Sequence, residues 1–409
     1  MSTISITPYI SVIHSDIRHQ PLFEGYWPIP NGVTINSYFV RGEKNALIDL
    51  TADWSEAVDL LKKQLGEIDG GAKIDYLILN HLEPDHTGFL PEFVKQNPNV
   101  EIVATAKGCA LVKNFIRATD ECPALKIREV KSGDTLDLGG RTLAFYEIPN
   151  VHWPETMCTF DAESGTLFSC DAFGGYGTTG ERVFDDEFSE SELVSFEEES
   201  LRYYATIVAS FSPFVKKAIE KLRAENLAIK TIAPSHGIIW RAHPERIAAD
   251  YERFASYNTG GRGEKEICVI CSSMYGNTKK GAEAVVRGIK ETDASIKVDF
   301  LQVPGTDDSH VLAAALRSRG IVIAAPTYEY KLFPAMAHII DLFNRKHITG
   351  KKALRIGSWG WSGGAKKEYD EISAPLKWEQ FEQYEWQGVP TGADLQALEK
   401  KGAELAAAV

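Results

Sequence analysis

Short runs of β-branched and aliphatic residues alternate with turn residues between Ile35 and Leu50 and again between Ile102 and Leu143, with breaks at Arg41-Gly42 and Leu138-Gly139-Gly140. This pattern predicts sheet. Apolar positions at helical spacing fall between these runs, from Trp54 to Leu65 and from Phe89 to Gln96, and a longer helical pattern extends from Glu190 to Ala224. Interleaved strands and amphipathic helices predict an α/β sandwich. The polar, flexible stretch Asn258-Thr259-Gly260-Gly261-Arg262-Gly263 interrupts the pattern, and Ile267-Cys268-Val269-Ile270 then opens a new buried strand. Beyond it strand and helix alternate regularly: helix over Lys279 to Glu291, strand over Lys297 to Leu301, helix over Ser309 to Arg319, strand over Gly320 to Ala325, helix over Ala335 to Arg345 and strand over Ala353 to Ser358. Such alternation predicts a doubly wound parallel sheet. The expected organisation is therefore α/β throughout, with one domain over 1–257, a linker over 258–264 and a second domain over 265–409.

Composition narrows the class without changing this picture. A chain of 409 residues is too long for one ordinary core. Hydrophobic residues make up 44% and charged residues 25%, the balance of a globular protein. No apolar run reaches the roughly 18 residues that span a bilayer, and the start lacks the basic and apolar segments of a signal peptide. We expect a cytoplasmic protein with no membrane association. A net charge of -13 and the absence of long Lys/Arg runs argue against nucleic-acid binding. The cysteines Cys109, Cys122, Cys158, Cys170, Cys268 and Cys271 are scattered, as free thiols in a reducing compartment are. Cys268 and Cys271 form a C-x-x-C, but inside an apolar strand-like run, where they read as buried packing residues. The acidic run Phe184 to Glu199 reads as a solvated loop and helix start.

The chemistry concentrates between Asn80 and Gly88, in Asn-His-Leu-Glu-Pro-Asp-His-Thr-Gly directly after the apolar run Tyr76-Leu77-Ile78-Leu79. Alternation sends His81, Glu83 and Asp85 the same way while the chain stays extended, and a turn at Pro84 brings His86 beside them. Zinc hydrolases carry H-x-H-x-D-H at such a turn. A carboxylate at Glu83 in place of an imidazole makes the donor set harder and more anionic, which favours iron. Three further candidates follow strand-like runs: His152, Asp171 and His236. In an α/β sheet the carboxyl ends of strands share one rim, so all seven residues can meet there around two metal ions. His14, His19, His243, His310, His338 and His347 match no motif and read as surface or packing residues.

In the second domain Ser272-Ser273-Met274-Tyr275-Gly276-Asn277-Thr278 opens a helix with hydroxyls and backbone N–H groups, a setting that suits a phosphate. Pro326-Thr327-Tyr328 and Ser358-Trp359-Gly360-Trp361-Ser362-Gly363-Gly364 follow later strand ends on the same rim. Aromatic faces and glycines there suit a flat ring.

With these motifs on both halves, the chain resembles the flavodiiron proteins, or A-type flavoproteins, over essentially its whole length. The resemblance implies a metallo-β-lactamase-like αββα sandwich with a non-haem diiron site, followed by a flavodoxin-like domain carrying FMN. By motif position it implies one iron held by His81, Glu83 and His152, the other by Asp85, His86 and His236, and Asp171 bridging the two. It assigns the FMN contacts to Ser273, Met274, Tyr275, Gly276, Asn277, Thr278, Pro326, Thr327, Tyr328, Ser358, Trp359, Gly360, Trp361 and Gly363. One departure stands out: where many members carry two asparagines, this chain has Glu329 and Tyr330.

What the resemblance implies for activity is reduction of dioxygen to water, or of nitric oxide to nitrous oxide, with FMN passing electrons to the irons. It also implies a head-to-tail homodimer or dimer of dimers, with Trp361 between FMN and iron. Tyr203 and Tyr204 are candidate proton donors. No four-cysteine rubredoxin module follows Val409 in this sequence, so electrons are expected from a separate donor, rubredoxin or reduced coenzyme F420. Two rivals belong to other classes: a β-lactamase-type or glyoxalase-type metallohydrolase joined to a flavodoxin, and a redox sensor or electron carrier without turnover.

Overall fold

A computed structural model describes residues 4–116, 125–260 and 263–409. Cys122, and Gly261 and Arg262 of the expected linker, lie outside the described residues. The chain divides into two compact units. One holds the described residues up to Tyr203 together with Phe214–Glu252, and the other holds Tyr204–Pro213 and Arg253–Val409.

The first unit is built on two sheets. Seven strands run in the order Ile4–Thr7, Ile10–Ile17, Val33–Val40, Ala46–Ile48, Tyr76–Ile78, Glu101–Thr105 and Lys126–Val130, antiparallel as far as Ala46–Ile48 and parallel beyond. Five strands form the second sheet: Thr135–Asp137, Thr142–Glu147, Met157–Asp161, Thr166–Cys170 and Thr231–Pro234, the last pair parallel. Period-two alternation decides what each strand buries. Tyr38, Val40, Ile78 and Val103 face Phe145, Met157, Phe168 and Ala233 of the other sheet. Their neighbours Phe39, Leu77 and Ile102 face Leu61, Phe93 and Val112 from the helices Ser55–Glu67, Leu90–Gln96 and Ala106–Phe115. Each such fully buried side chain contributes roughly 1.5–3 kcal/mol from apolar burial.

Two local expectations need correction. The helical pattern from Glu190 to Ala224 is not one helix: Glu190–Tyr203 is followed by a π-turn over Tyr204–Val208 and a 3-10 turn over Ala209–Phe211 before Ser212–Ala224 resumes. Pro213 explains the restart, since it lacks an amide hydrogen and its ring would clash with the carbonyl four residues back, so it is tolerated only in a first helical turn. Nor does the chain stay extended to Asp85. Pro84 starts the short helix Pro84–Thr87, which takes Asp85 out of alternation with His81 and Glu83.

In the second unit the strands run in the order Lys297–Gln302, Glu264–Cys271, Ser318–Ala324 and Lys352–Trp359, with Glu379–Gln380 and Tyr384–Gln387 on the far edge, all parallel. Counted along the chain this is the order 2-1-3-4-5 of flavodoxin-like sheets, whose direction of winding reverses between the strands Glu264–Cys271 and Ser318–Ala324. Ile267, Val269, Val322 and Leu354 pack there against Ala282, Val285 and Leu398 of the helices Asn277–Thr292 and Gly392–Ala408. The five described cysteines are free and buried, Cys268 and Cys271 among them within their strand. Among the described residues no helix is long and apolar enough to cross a membrane.

Candidate functional site

Four loops of the first unit, each following a strand, bring seven side chains together. The first starts at Asn80, whose backbone N–H donates to Asp49 Oδ1 at 2.8 Å, whose side-chain amide donates to the Phe168 carbonyl at 3.2 Å, and whose side-chain oxygen accepts from Thr159 Oγ1 at 2.7 Å. These bonds tie the loop to the second sheet. Thr87 Oγ1 then donates to the carbonyls of Leu82 and Glu83, and Gly88 closes the turn where a Cβ would stand 2.5 Å from the Asp53 nitrogen. No larger residue fits at Gly88 without moving backbone.

Asp171 is the centre of the arrangement. Its Oδ2 lies 3.0 Å from His152 Nε2 and 3.5 Å from His81 Nε2, and its Oδ1 lies 2.8 Å from His86 Nε2 and 3.5 Å from His236 Nε2. A second carboxylate serves each pair of imidazoles. Glu83 Oε2 lies 2.9 Å from His152 Nε2 and 3.3 Å from His81 Nε2, while Asp85 Oδ2 lies 3.4 Å from His86 Nε2 and 3.3 Å from His236 Nε2. Two compact donor sets result: His81, Glu83, His152 and Asp171 in one, and Asp85, His86 and His236 in the other. His81, His86 and His236 are fully buried.

The outward ring nitrogens of His81 and His236 are held as metal-bound imidazoles require. Glu155 Oε1 stands 2.7 Å from His81 Nδ1 and also accepts from the Leu82 N–H at 3.1 Å, and the Thr34 carbonyl stands 2.7 Å from His236 Nδ1. Donation from Nδ1–H leaves each Nε2 lone pair facing the carboxylates. Among the described residues, His236 Nε2 and Asp85 Oδ1 are buried without a hydrogen-bond partner. Neither Glu155 nor Thr34 carried a sequence signal, because their partners lie 74 and 202 positions away.

Electrostatics describes a cavity that demands cations. Burial works against a charge on every imidazole, yet the carboxylates outweigh it, pushing His152 up to about 9 and His236 up to about 10, and raising His81 and His86 as well. In the same way burial would raise Glu83 and Asp171, but the facing imidazoles hold both below the usual carboxylate range. Without metal the site attracts protons, and divalent cations would replace them. Nitrogen and oxygen donors in two sets with a shared carboxylate fit a pair of iron ions.

The two candidate tyrosines part company. Tyr203 is fully buried with its ring tilted against His236 at 5.7 Å, and Tyr176 and Phe23 complete an aromatic wall at 5.1 Å and 6.2 Å from it. Burial first, and then the charge of Asp171, push its hydroxyl well up, so it stays protonated. Tyr204 has other partners: its hydroxyl bonds Ser212 Oγ at 2.9 Å and its ring packs on Phe254.

In the second unit, the loops expected to hold a flavin follow three neighbouring parallel strands. Ser273 Oγ accepts from the Gly276 and Lys279 N–H groups at 3.1 and 3.3 Å, shaping the turn Ser273-Met274-Tyr275-Gly276 before Asn277–Thr292, and Gly276 takes φ +90°. Thr278 Oγ1 and Ser358 Oγ bond each other at 2.8 Å, which joins the first and third loops. Gln387 Nε2 donates to the Gly360 carbonyl at 2.9 Å, and Ala365 N–H donates to Thr327 Oγ1 at 3.4 Å. Met274, Tyr275, Tyr328 and Trp361 are exposed, whereas Pro326 is buried. Trp359 and Gly363 are half-buried.

Residues 33–237 match the ODP family beta lactamase model. The chain is 36% identical over 369 residues to the anaerobic nitric oxide reductase flavorubredoxin of Salmonella paratyphi B, covering 90% of this chain and 74% of that protein. Among solved structures, rubredoxin oxygen:oxidoreductase from Desulfovibrio gigas superposes with a TM-score of 0.91 at 26% identity, covering 100% of this chain and 98% of that one. The flavodiiron protein from Giardia intestinalis gives 0.89 at 25% identity, with coverage of 100% and 96%.

Proposed function

Because this chain belongs to the flavodiiron proteins, we propose that it reduces dioxygen to water, nitric oxide to nitrous oxide, or both, at two irons supplied with electrons through FMN. The single observation that carries this reading is Asp171, whose two oxygens address two separate sets of imidazoles and carboxylates. In it His81, Glu83 and His152 hold one iron, Asp85, His86 and His236 the other, and Asp171 spans both. Bound FMN would supply single electrons drawn from electron pairs, and a bound iron pair would supply the site at which the gas is reduced.

The chain's own residues prepare that chemistry. Glu155 and the Thr34 carbonyl fix the tautomers of His81 and His236, so neither ring has to turn to meet a metal. Phe23, Tyr176 and Tyr203 form an aromatic wall on the His236 side, and the Tyr203 hydroxyl, held protonated, is a hydrogen-bond donor available there. On the FMN side, the turn Ser273 to Asn277 at a helix start suits the phosphate, and Tyr328, Trp359 and Trp361 suit the ring.

A cavity of about 350 Å³ opens beside the metal centre, lined by Leu22, Phe23, Trp54, Glu83, Pro84 and Asp85 among others. We assign it to the flavin edge of a second copy, which gives a head-to-tail homodimer. Rubredoxin or reduced coenzyme F420 is the donor in this reading, and the name of the Desulfovibrio gigas relative supports the former.

Anaerobic reduction of the iron- and FMN-loaded protein, followed by rapid mixing with each gas, tests the proposal. Flavin and iron reoxidation are followed separately. Fast reoxidation of both by one gas identifies the substrate, and a fully loaded protein that neither gas reoxidises defeats the reading.

A further inference from the structure

Arg355 stands in the strand Lys352–Trp359 and is fully buried. Alternation puts Arg355, Gly357 and Trp359 on one face of the sheet, so this column leads up to the loop expected to hold the flavin ring. Gly357 leaves a gap in the column. A Cβ there would stand 2.9 Å from Arg355 Nη2 and 2.1 Å from the Ala325 carbonyl oxygen, which places the guanidinium beside the residue that precedes the second expected flavin loop, Pro326-Thr327-Tyr328. The Ala325 N–H donates to the Ile356 carbonyl at 3.0 Å, so the roots of the two loops are joined where the guanidinium lies.

Arg355 Nη1 donates to Glu385 Oε1 on the neighbouring parallel strand Tyr384–Gln387. Among the described residues, Nε and Nη2 have no hydrogen-bond partner. A guanidinium keeps its charge when buried, and unmatched buried donors cost stability, so packing alone does not account for this residue. Screening decides the sign of its field. The Glu385 side chain is 24% exposed, so water weakens its charge more than that of Arg355, and the pair presents a net positive potential to the loops above it. We propose that Arg355 raises the reduction potential of the FMN that these loops hold. Oxidised FMN takes two electrons and one proton to become an anion, and a fixed cation below the site favours that anion. The inference rests on the FMN reading above and concerns a residue outside the expected flavin contacts.

The test is a reductive titration of the FMN- and iron-loaded full chain against dyes of known potential, read from flavin absorption, with folding checked by circular dichroism. Arg355→Met keeps an apolar stem and removes the charge. Its reduced flavin is expected to be held about 10-fold less firmly relative to oxidised flavin, a fall of about 30 mV in the two-electron potential. Glu385→Gln keeps an acceptor for Nη1 and removes the opposing charge, so its potential is expected to rise. Shifts of opposite sign are what a packing role would not produce. Should Arg355→Met fail to fold or to retain FMN, Glu385→Gln decides alone. Folded, FMN-bearing variants at the wild-type potential, or two shifts of the same sign, overturn the inference and leave the FMN reading intact. Wild type that binds no FMN overturns both.

Discussion

Glu155 Oε1 lies 2.7 Å from Nδ1 of His81, with both side chains fully buried. The bond fixes the tautomer of a residue whose Nε2 faces Glu83 and Asp171. Removing the acceptor leaves a buried imidazole N–H without its partner and a ring free to turn. Glu155→Ala is therefore expected to weaken metal binding in the set containing His81 by about 10- to 100-fold. Competition with a coloured chelator measures this, and unchanged affinity in a folded variant would show that the contact is only packing.

Asp171 cannot be replaced without disturbing both sets. Asp171→Ala removes the oxygens between His152 and His81 on one side and between His86 and His236 on the other. The expected result is loss of paired occupancy, with no more than one iron per chain by metal analysis and no spin coupling by EPR of the partly reduced protein. A variant that still binds two coupled irons would remove Asp171 from the bridging role.

The hairpin Thr327–Tyr328 with Lys331–Leu332 turns through Glu329 and Tyr330 at φ +47° and +65°. Two positive φ values in a two-residue loop define a turn that asparagine and glycine adopt readily and other residues do not. Glu329 is exposed, so Glu329→Asn should raise stability by about 0.5 kcal/mol. Tyr330 differs, because its ring meets Trp361 edge to face at 4.8 Å. Tyr330→Gly relieves about 1 kcal/mol of backbone strain and loses a ring contact of similar size, so its net effect should be near zero. Urea unfolding of both variants gives the comparison, and stabilisation by about 1 kcal/mol in Tyr330→Gly would mean that the ring contact contributes nothing.

The same hairpin marks where sequence reasoning stops. Glu329-Tyr330 looked like a chemical departure near the flavin, yet its first consequence is conformational, and backbone angle is invisible in residue names. The gathering of His81, Glu83, Asp85, His86, His152, Asp171 and His236 was legible because each follows an apolar run, and strand ends in an α/β sheet share a rim. Glu155 and Thr34 were not legible as their supports. Their partners lie far off in sequence, and an outer hydrogen bond can come from any oxygen or sulfur. The break at Tyr204–Phe211 was also hidden, since apolar spacing persists through the π-turn and only Pro213 signalled it. In the second unit the regular strand–helix alternation made a doubly wound parallel sheet legible, but not its order 2-1-3-4-5, because right-handed crossovers are equally compatible with 3-2-1-4-5-6.

Lys351 supplies a pH dependence that does not involve the metal site. It is fully buried with Nζ 2.6 Å from the Leu316 carbonyl, and burial, aided by repulsion from Arg319, pushes it down to about 7. An unfolded lysine titrates near 10.4. Between these values the unfolded chain holds the proton more firmly than the folded one, so stability rises with pH across roughly pH 7 to 10. One proton gives a slope of at most about 1.4 kcal/mol per pH unit. Below pH 7 both states are protonated and the cost of the buried charge is present in full. Lys351→Met keeps the chain's length without a titratable group, so it should be the more stable protein at pH 7 and lose its advantage as pH approaches 10. The measurement is the difference between wild-type and variant unfolding free energies at several pH values. A difference that stays constant from pH 7 to 10 would mean that Lys351 does not change protonation on folding.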